Sequence, residues 1–394
     1  MSHTLVAKII VFLFLIPLLS FSQNSSNSLK EALLAPLKCE TLNITDDNSF
    51  EIDEKIGELT NLKSLVIINC KLKRLPDNLY KLKKIEKIRI QDCMDFQFRT
   101  NDLDSLSSLK KLFLYKNNLI AVPDLKNQIN LEELDIRNNQ IKEIPRGLSM
   151  VSLETLYLSN NKISHLDSLA LSKYLKSLDI GELELQSFPK SLRNLKKLSY
   201  LAISKNQITK IPSWIKDLTS LSMVSMVGNN ITKIPNKFGT LSNLKWLELQ
   251  NNKIKKIPKS FCRLDKLYFF DIGHNQLKSL PSSINKLHSL TKFTANDNEL
   301  ESLPNEICDL QKIEELNFTN NKLKTLPENI FKNKTLKSFH VKYNELTEIP
   351  LNFLNDHSYM IISAQKNPLM KENIIALKAI DRNGKYFYVY TDIE

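Results

Sequence analysis

Glycine is scarce in this chain, with seven residues in 394. Loops that cradle phosphate need several glycines within a few positions, so nucleotide-binding loops are nearly excluded. Histidine is also sparse, and no His-Glu-x-x-His, Gly-x-Ser-x-Gly or Walker-type sequence occurs. The five cysteines, Cys39, Cys70, Cys93, Cys262 and Cys308, are odd in number and not closely paired, which does not read as a disulfide framework. Beyond the first 22 residues no apolar run is long enough to cross a bilayer. His274, with Asp271 and Asp297, is the one group that could hold a metal, and nothing nearby supplies a second shell. These absences predict no catalytic residues, no cofactor and no metal.

What is present begins with an export signal. Lys8 precedes an apolar run from Ile9 to Leu19, followed by Ser20-Phe21-Ser22. A charged start, a short apolar core and a small-x-small exit describe a signal peptide over 1–22, with cleavage after Ser22. The alternative is an uncleaved anchor, for which the run is short. No cysteine stands just after it to carry a lipid. A secreted, periplasmic or cell-surface protein is expected.

After residue 39 the chain repeats itself. From Leu244, apolar residues fall at positions 1, 4, 6, 11, 14, 18 and 21 of a 23-residue unit (Leu244, Leu247, Leu249, Ile254, Ile257, Phe261, Leu264), with Asn252 at 9 and Pro258 at 15. Units start at Cys39, Leu62, Ile85, Leu109, Leu131, Leu153, Leu175, Leu198, Leu221, Leu244, Leu267, Leu290, Ile313, Leu336 and Tyr359. Positions 4 and 6 alternate with polar neighbours, as in a strand with one buried face. Pro at 15 stops the strand, and apolar 18 and 21 suit one face of a helical or 3-10 turn. This pattern resembles the leucine-rich-repeat family, in its Ras-group form. The resemblance implies an α/β solenoid: a curved horseshoe with a parallel concave sheet and short convex helical segments. The predicted organisation is 23–38 as an N-terminal helical cap, 39–369 as an array of about fifteen units, and 370–394 as a C-terminal cap.

Position 9 carries Asn117, Asn139, Asn161, Asn206, Asn229, Asn252, Asn275, Asn298, Asn321, Asn344 and Asn367. An amide turned inward can satisfy backbone groups left unpaired where strand turns to loop, so these form a stacked ladder. Cys70 and Cys93 take the slot in two early units. A disulfide between them is geometrically conceivable, but two buried thiols are the favoured reading. Leu183 cannot hydrogen-bond, which predicts a local irregularity. Ser28-Leu-Lys-Glu31 reads as a capping box, Glu372 to Ile380 as a helix, Asn383-Gly384 as a turn and Lys385 to Tyr390 as a strand whose aromatics pack on the last unit.

Solenoids bind with their concave face, where positions 3, 5, 7 and 8 project. Four successive units place Tyr200, Met223, Trp246 and Phe269 at position 3. Large apolar groups in line are favoured at interface cores; the competing reading is that they only pack on one another. Phe113, Tyr115, Arg137 and Tyr157 form an earlier cluster, and Asp135, Asp179, Glu248 and Asp271 recur at position 5, which suits a partner with some positive charge. The basic excess lies elsewhere, at Lys73-Arg74, Lys210, Lys233, Lys255-Lys256 and Lys278 beyond the strands and at Lys83-Lys84, Lys196-Lys197 and Lys266 late in the units. The expected function is non-catalytic recognition of a protein ligand by a monomer, with an anionic glycan on the basic flank as the alternative and nucleic acid not expected.

Overall fold

The computed structural model describes residues 24–46, 53–145, 147–148, 152–166, 172–354, 359–381 and 386–391. The apolar leader with its cleavage position and the Asn383-Gly384 turn lie outside these residues. Among the described residues, seventeen strands form one parallel sheet in which each strand pairs with its neighbours in chain order. Fifteen of them, from Thr41–Thr45 to Tyr359–Ser363, are one to each 23-residue unit. Pairing is strictly in register, so Trp246 lies between Met223 and Phe269, and Leu247 between Val224 and Phe270. Side chains alternate across a strand; Leu247 and Leu249 at positions 4 and 6 are fully buried. Each such leucine contributes ~1.5–3 kcal/mol by burial.

The return segments hold 3-10 helices, opened by prolines. Pro76, Pro212, Pro235, Pro258 and Pro304 each stand as the N-cap, and their carbonyls accept the first helical bond, as from Phe261 N to Pro258 O at 2.9 Å. Proline lacks the N–H that would continue a ladder and its φ is already set for the turn. Short strands inside and wider turns outside curve the array into a solenoid. Position 18 fills the layer between them. From Phe238 a spine of rings runs through Phe261, Phe270, Phe293, Phe318 and Phe339, with centroids 4.7–6.5 Å apart and no exposed member.

The asparagine ladder is present with one repeated geometry. Asn252 Nδ2 donates to Met226 O (3.0 Å) in the preceding unit and to its own Leu249 O (2.9 Å), while Oδ1 accepts from Ile231 N at 3.0 Å. Each amide therefore ties its unit to the one before. Cys70 and Cys93 are free buried thiols in that slot, and the Sγ–H of each donates to the carbonyl two residues earlier, at 3.3 and 3.4 Å. Burial raises the Cys93 thiol to about 11, so it stays protonated, a weak donor and not a thiolate. At Leu183 no side-chain amide reaches Ile163 N or Leu158 O from the following unit. Glu182 and Glu184 on either side both take positive φ (52° and 58°), and a cleft of about 700 Å³ opens between Ile163, His165, Leu183 and Leu185. The ladder resumes at Asn206, which accepts from Leu183 N at 3.1 Å.

One regularity was not read from the sequence. Position 8 of every unit, from Asp46 to Lys366, has positive φ. Aspartate, asparagine or glycine fills it in most units, but Lys116, Glu182, Lys205, His274, Tyr343 and Lys366 sit there too. The left-handed turn is imposed by the bend that aims position 9 inward, and a side chain with a Cβ pays for it. Tyr343 (φ 54°) is about half exposed and loses little packing on replacement. Tyr343→Asn should raise the urea midpoint, corresponding to about 0.5–1 kcal/mol; an unchanged or lower midpoint would show that the strain is relieved elsewhere.

The ends differ. At the N-terminus Ser28 Oγ accepts from Glu31 N (3.2 Å) and Glu31 Oε2 from Asn27 N (2.9 Å), opening a helix of only four residues, Leu29–Ala32. Pro36 disfavours helical geometry just before it, and Leu34 is left exposed. At the C-terminus helix Lys371–Asp381 buries Ile374 and Leu377, and Tyr386–Tyr390 adds a parallel strand beside Tyr359–Ser363. Alternation turns Val389 towards the core and leaves Tyr388 and Tyr390 exposed, so those two rings do not pack under the last unit as the sequence suggested.

Candidate functional site

The position-3 column is assembled by strand register alone. Tyr200, Met223, Trp246 and Phe269 lie on four adjacent strands, each directly opposite the next. Trp246 and Phe269 are stacked with centroids 3.6 Å apart and planes 5° from parallel, and Tyr268 meets the indole edge-on at 5.9 Å. Stacking covers Phe269, which is 5% exposed and so supports the indole instead of offering a surface of its own. Tyr200, Met223 and Trp246 stay partly open. The column is bounded on one side by Ser177 and on the other by Lys292, which pairs with Glu315 at 2.9 Å.

Polar groups under this column are tightly enclosed. Trp246 Nε1 is buried without a well-formed hydrogen bond, as is Gln250 Oε1 two positions beyond Glu248 on the same strand. The Glu248 carboxyl is 9% exposed and has no cation within ion-pair distance among the described residues. Burial raises its pKa, opposed by the Ser225 hydroxyl and the Trp246 indole. An unpaired donor, an unpaired acceptor and a desolvated carboxyl on one strand cost stability unless something completes them.

The earlier cluster is drawn together by Arg137. Its guanidinium makes a two-pronged contact with Asp135, Nε–Oδ1 at 2.9 Å and Nη2–Oδ2 at 2.6 Å, with Asp179 at 4.0 Å. It also lies over the rings of Tyr115 (5.7 Å) and Tyr157 (4.8 Å). Burial opposes its charge, but Asp135 and then Asp179 outweigh that and hold it protonated. Tyr157 Oη accepts from Ser177 Oγ at 3.2 Å, and Ser159 Oγ donates to Asp179 at 2.9 Å. Phe113 is joined less directly, under Lys87 at 5.7 Å. Because Asp135 is already taken by Arg137, it drops out of the acids free to meet a partner.

The two clusters meet at Tyr200. Its phenol is pushed well above the usual tyrosine range, mainly by burial and then by Asp179, Tyr157 and Glu248. It thus lies within the field of both clusters, so Tyr115 to Phe269 is one strip across the concave face. The sequence signal for that continuity was Tyr200 itself, the first aromatic of the column, which stands next to Ser177.

The groups that could have carried chemistry do not converge. His274 Nε2 pairs with Asp297 at 3.2 Å, while Asp271 Oδ1 accepts from Gly273 N at 2.9 Å. No group of three or more His, Cys, Asp or Glu among the described residues could hold a metal ion. Cys262 and Cys308 are buried on the return segments, and burial raises both thiols.

The repeat itself is recognised by two family models. One described as "Leucine Rich repeats (2 copies)" matches residues 129–171, and "Leucine rich repeat" matches 173–231 and 228–277. The chain is a leucine-rich-repeat protein. Solved leucine-rich-repeat structures share the fold along most of its length. A leucine-rich-repeat protein of Leptospira interrogans is 24% identical, with a TM-score of 0.77 over 94% of this chain and all of that one. An internalin of Listeria monocytogenes is 23% identical, with a TM-score of 0.65 over 82% and 86%. The plant peptide hormone receptor RGFR1 in complex with RGF2 is 23% identical, with a TM-score of 0.69 over 87% of this chain and 57% of that one. A candidate disease resistance protein of Arabidopsis thaliana is 36% identical over 88 residues, which are 22% of this chain. The match spans only 7% of that plant protein's length. Leucine-rich repeats are in general binding scaffolds without catalytic activity, and no helix among the described residues is long and apolar enough to cross a membrane.

Proposed function

We propose that this leucine-rich-repeat protein is an exported, non-catalytic recognition protein that binds a protein ligand across its concave face. The observation that carries the reading is the strip from Tyr115 to Trp246, where aromatic side chains and unsatisfied polar atoms share one face. Rigid aromatic anchors around a desolvated centre are the usual make-up of an interface hot spot. The partner chemistry it suits is an apolar side chain against Met223 and Trp246, with a cation near Glu248. A protein ligand is also what the similar receptor RGFR1 holds in its complex with RGF2. Export rests on the apolar leader.

The test replaces the open members of the column and keeps Phe269, whose burial makes it structural. The full chain and a Tyr200→Ser, Met223→Ser, Trp246→Ser variant are used to capture crosslinked partners from envelope and cell-surface extracts. Affinity for the captured protein is then measured with both. The variant should bind at least about thirtyfold more weakly, the equivalent of losing one ~2 kcal/mol hot spot, with circular dichroism unchanged. Equal affinity would show that the column is only packing.

A further inference from the structure

Charge is not spread evenly along this solenoid. Residues 205–264 contain eleven basic side chains and two acidic ones, a surplus of nine in a chain whose net charge is +12. Elsewhere the protein alternates its charges down a column. At position 2, Lys63 pairs with Glu40 (3.0 Å), Lys110 with Glu86 (3.2 Å), Lys176 with Glu154 (2.7 Å) and Lys337 with Glu314 (3.0 Å). At position 13 it does the reverse, since Lys210, Lys233 and Lys256 occupy it in three successive units.

These lysines are held in line by backbone. Asn230 N donates to Ile208 O, Lys253 N to Ile231 O and Gln276 N to Ile254 O, each at 2.9 Å, and Thr232 N donates to Thr209 O at 3.3 Å. The loops that bear the lysines therefore stack as strands do, at about 4.8 Å per unit. Lys255 and Lys278 extend the strip at the neighbouring position 12. All five side chains are exposed, and none makes an ion pair or a side-chain hydrogen bond among the described residues. The other basic pairs noted in the sequence are engaged: Lys84 and Lys266 donate to Asn61 and Asn243, and Lys196 to the Arg193 and Asp217 carbonyls. Like charges stacked one above another destabilise a sheet, and this chain avoids that arrangement at position 2. Their retention here is explained by an anion that covers them.

We infer that the Lys210–Lys233–Lys256 ladder, with Lys255 and Lys278, is a binding strip for a linear anionic polysaccharide. The strip is narrow and straight, as a single chain bearing a repeated carboxylate or sulfate would require. No exposed aromatic ring stands among the lysines to stack unpaired bases, which proteins that bind single-stranded nucleic acid use. The strip lies on the loop flank beside the concave strip, so both ligands could be carried at once.

The test measures binding of the full chain to heparin and to polygalacturonate across a salt series, with duplex DNA of matched length as a third probe. One variant carries Lys210→Ser, Lys233→Ser and Lys256→Ser. A control with the same change of net charge carries Lys63→Ser, Lys176→Ser and Lys337→Ser. The ladder variant should lose at least about tenfold in affinity for at least one glycan, and its salt slope should fall by roughly one per lysine removed. The control should stay within roughly twofold of the parent, because its lysines are already paired. Equal losses in the two variants would reduce the effect to net charge and overturn the site. So would a parent that binds neither glycan, or one that binds the duplex as tightly as the glycan with the same dependence on the ladder. The Trp246 variant should bind glycan normally, which separates this site from the concave one.

Discussion

Replacing Asn275 with leucine should destabilise the protein by about 4 kcal/mol or more and should expose the Ile254 amide to hydrogen exchange. Asn275 is 8% exposed, and its Nδ2 donates to Leu249 O (3.0 Å), Ile272 O (3.1 Å) and Gly273 O (3.0 Å) while Oδ1 accepts from Ile254 N at 2.9 Å. Leucine has a similar volume, so no cavity forms and the loss is polar. Each buried group left unpaired costs ~1–3 kcal/mol, and this one side chain serves four. Cysteine should cost roughly half as much, since a thiol at Cys70 already donates to Ile68 O and lies 3.8 Å from Ile44 O. Urea unfolding followed by circular dichroism ranks the three proteins. An Asn275→Leu variant within about 1 kcal/mol of the parent would mean that water satisfies the slot and the ladder is dispensable.

The second large effect is steric. A Cβ on Gly239 would lie 1.9 Å from the carbonyl oxygen of Ser260 and 2.6 Å from its carbonyl carbon. Both are backbone atoms of the next 3-10 helix, Lys259–Arg263, and cannot swing aside as a side-chain tip could. Gly239→Ala must therefore pry two return segments apart, at a cost of at least ~3 kcal/mol, the upper range for overpacking. Gly228 is the matched control. It has φ +65°, but a Cβ there would meet nothing closer than 3.5 Å. Its alanine form should lose only the ~1 kcal/mol of left-handed strain. Thermal melts of both variants decide the point, and equal shifts would show that the helices have slack that the static spacing hides.

The same residue explains why some of the fold was legible in sequence and some was not. The 23-residue period, Pro258 at the start of a turn and Asn252 at position 9 are each one residue type with one physical job, repeated until the pattern is plain. Position 8 shares the regularity in backbone but not in residue type, because Lys205 or His274 tolerates at modest cost what asparagine does readily. Close approach at Gly239 depends on where the neighbouring helix comes to rest, which no single unit specifies. The concave face divides in the same way. Which residues line it followed from alternation, so Tyr200, Met223 and Trp246 were named correctly as its members. Whether a member is open or covered depends on how it lies on its neighbour: Phe269 disappears beneath an indole, and Asp135 is claimed by Arg137. The joining of the two clusters through Tyr200 is likewise a property of adjacent strands.

A solenoid's stability is close to a sum of unit terms and nearest-neighbour couplings, so a weakened coupling anywhere divides the whole. The missing amide at Leu183 weakens the seam between the units that begin at Leu153 and Leu175. What crosses that seam on the concave side includes the Tyr157–Ser177 and Ser159–Asp179 bonds, which belong to the recognition strip. A ligand laid from Arg137 to Trp246 would span it like a splint on a joint. Its binding energy would then go partly into making two loosely tied blocks behave as one rigid body.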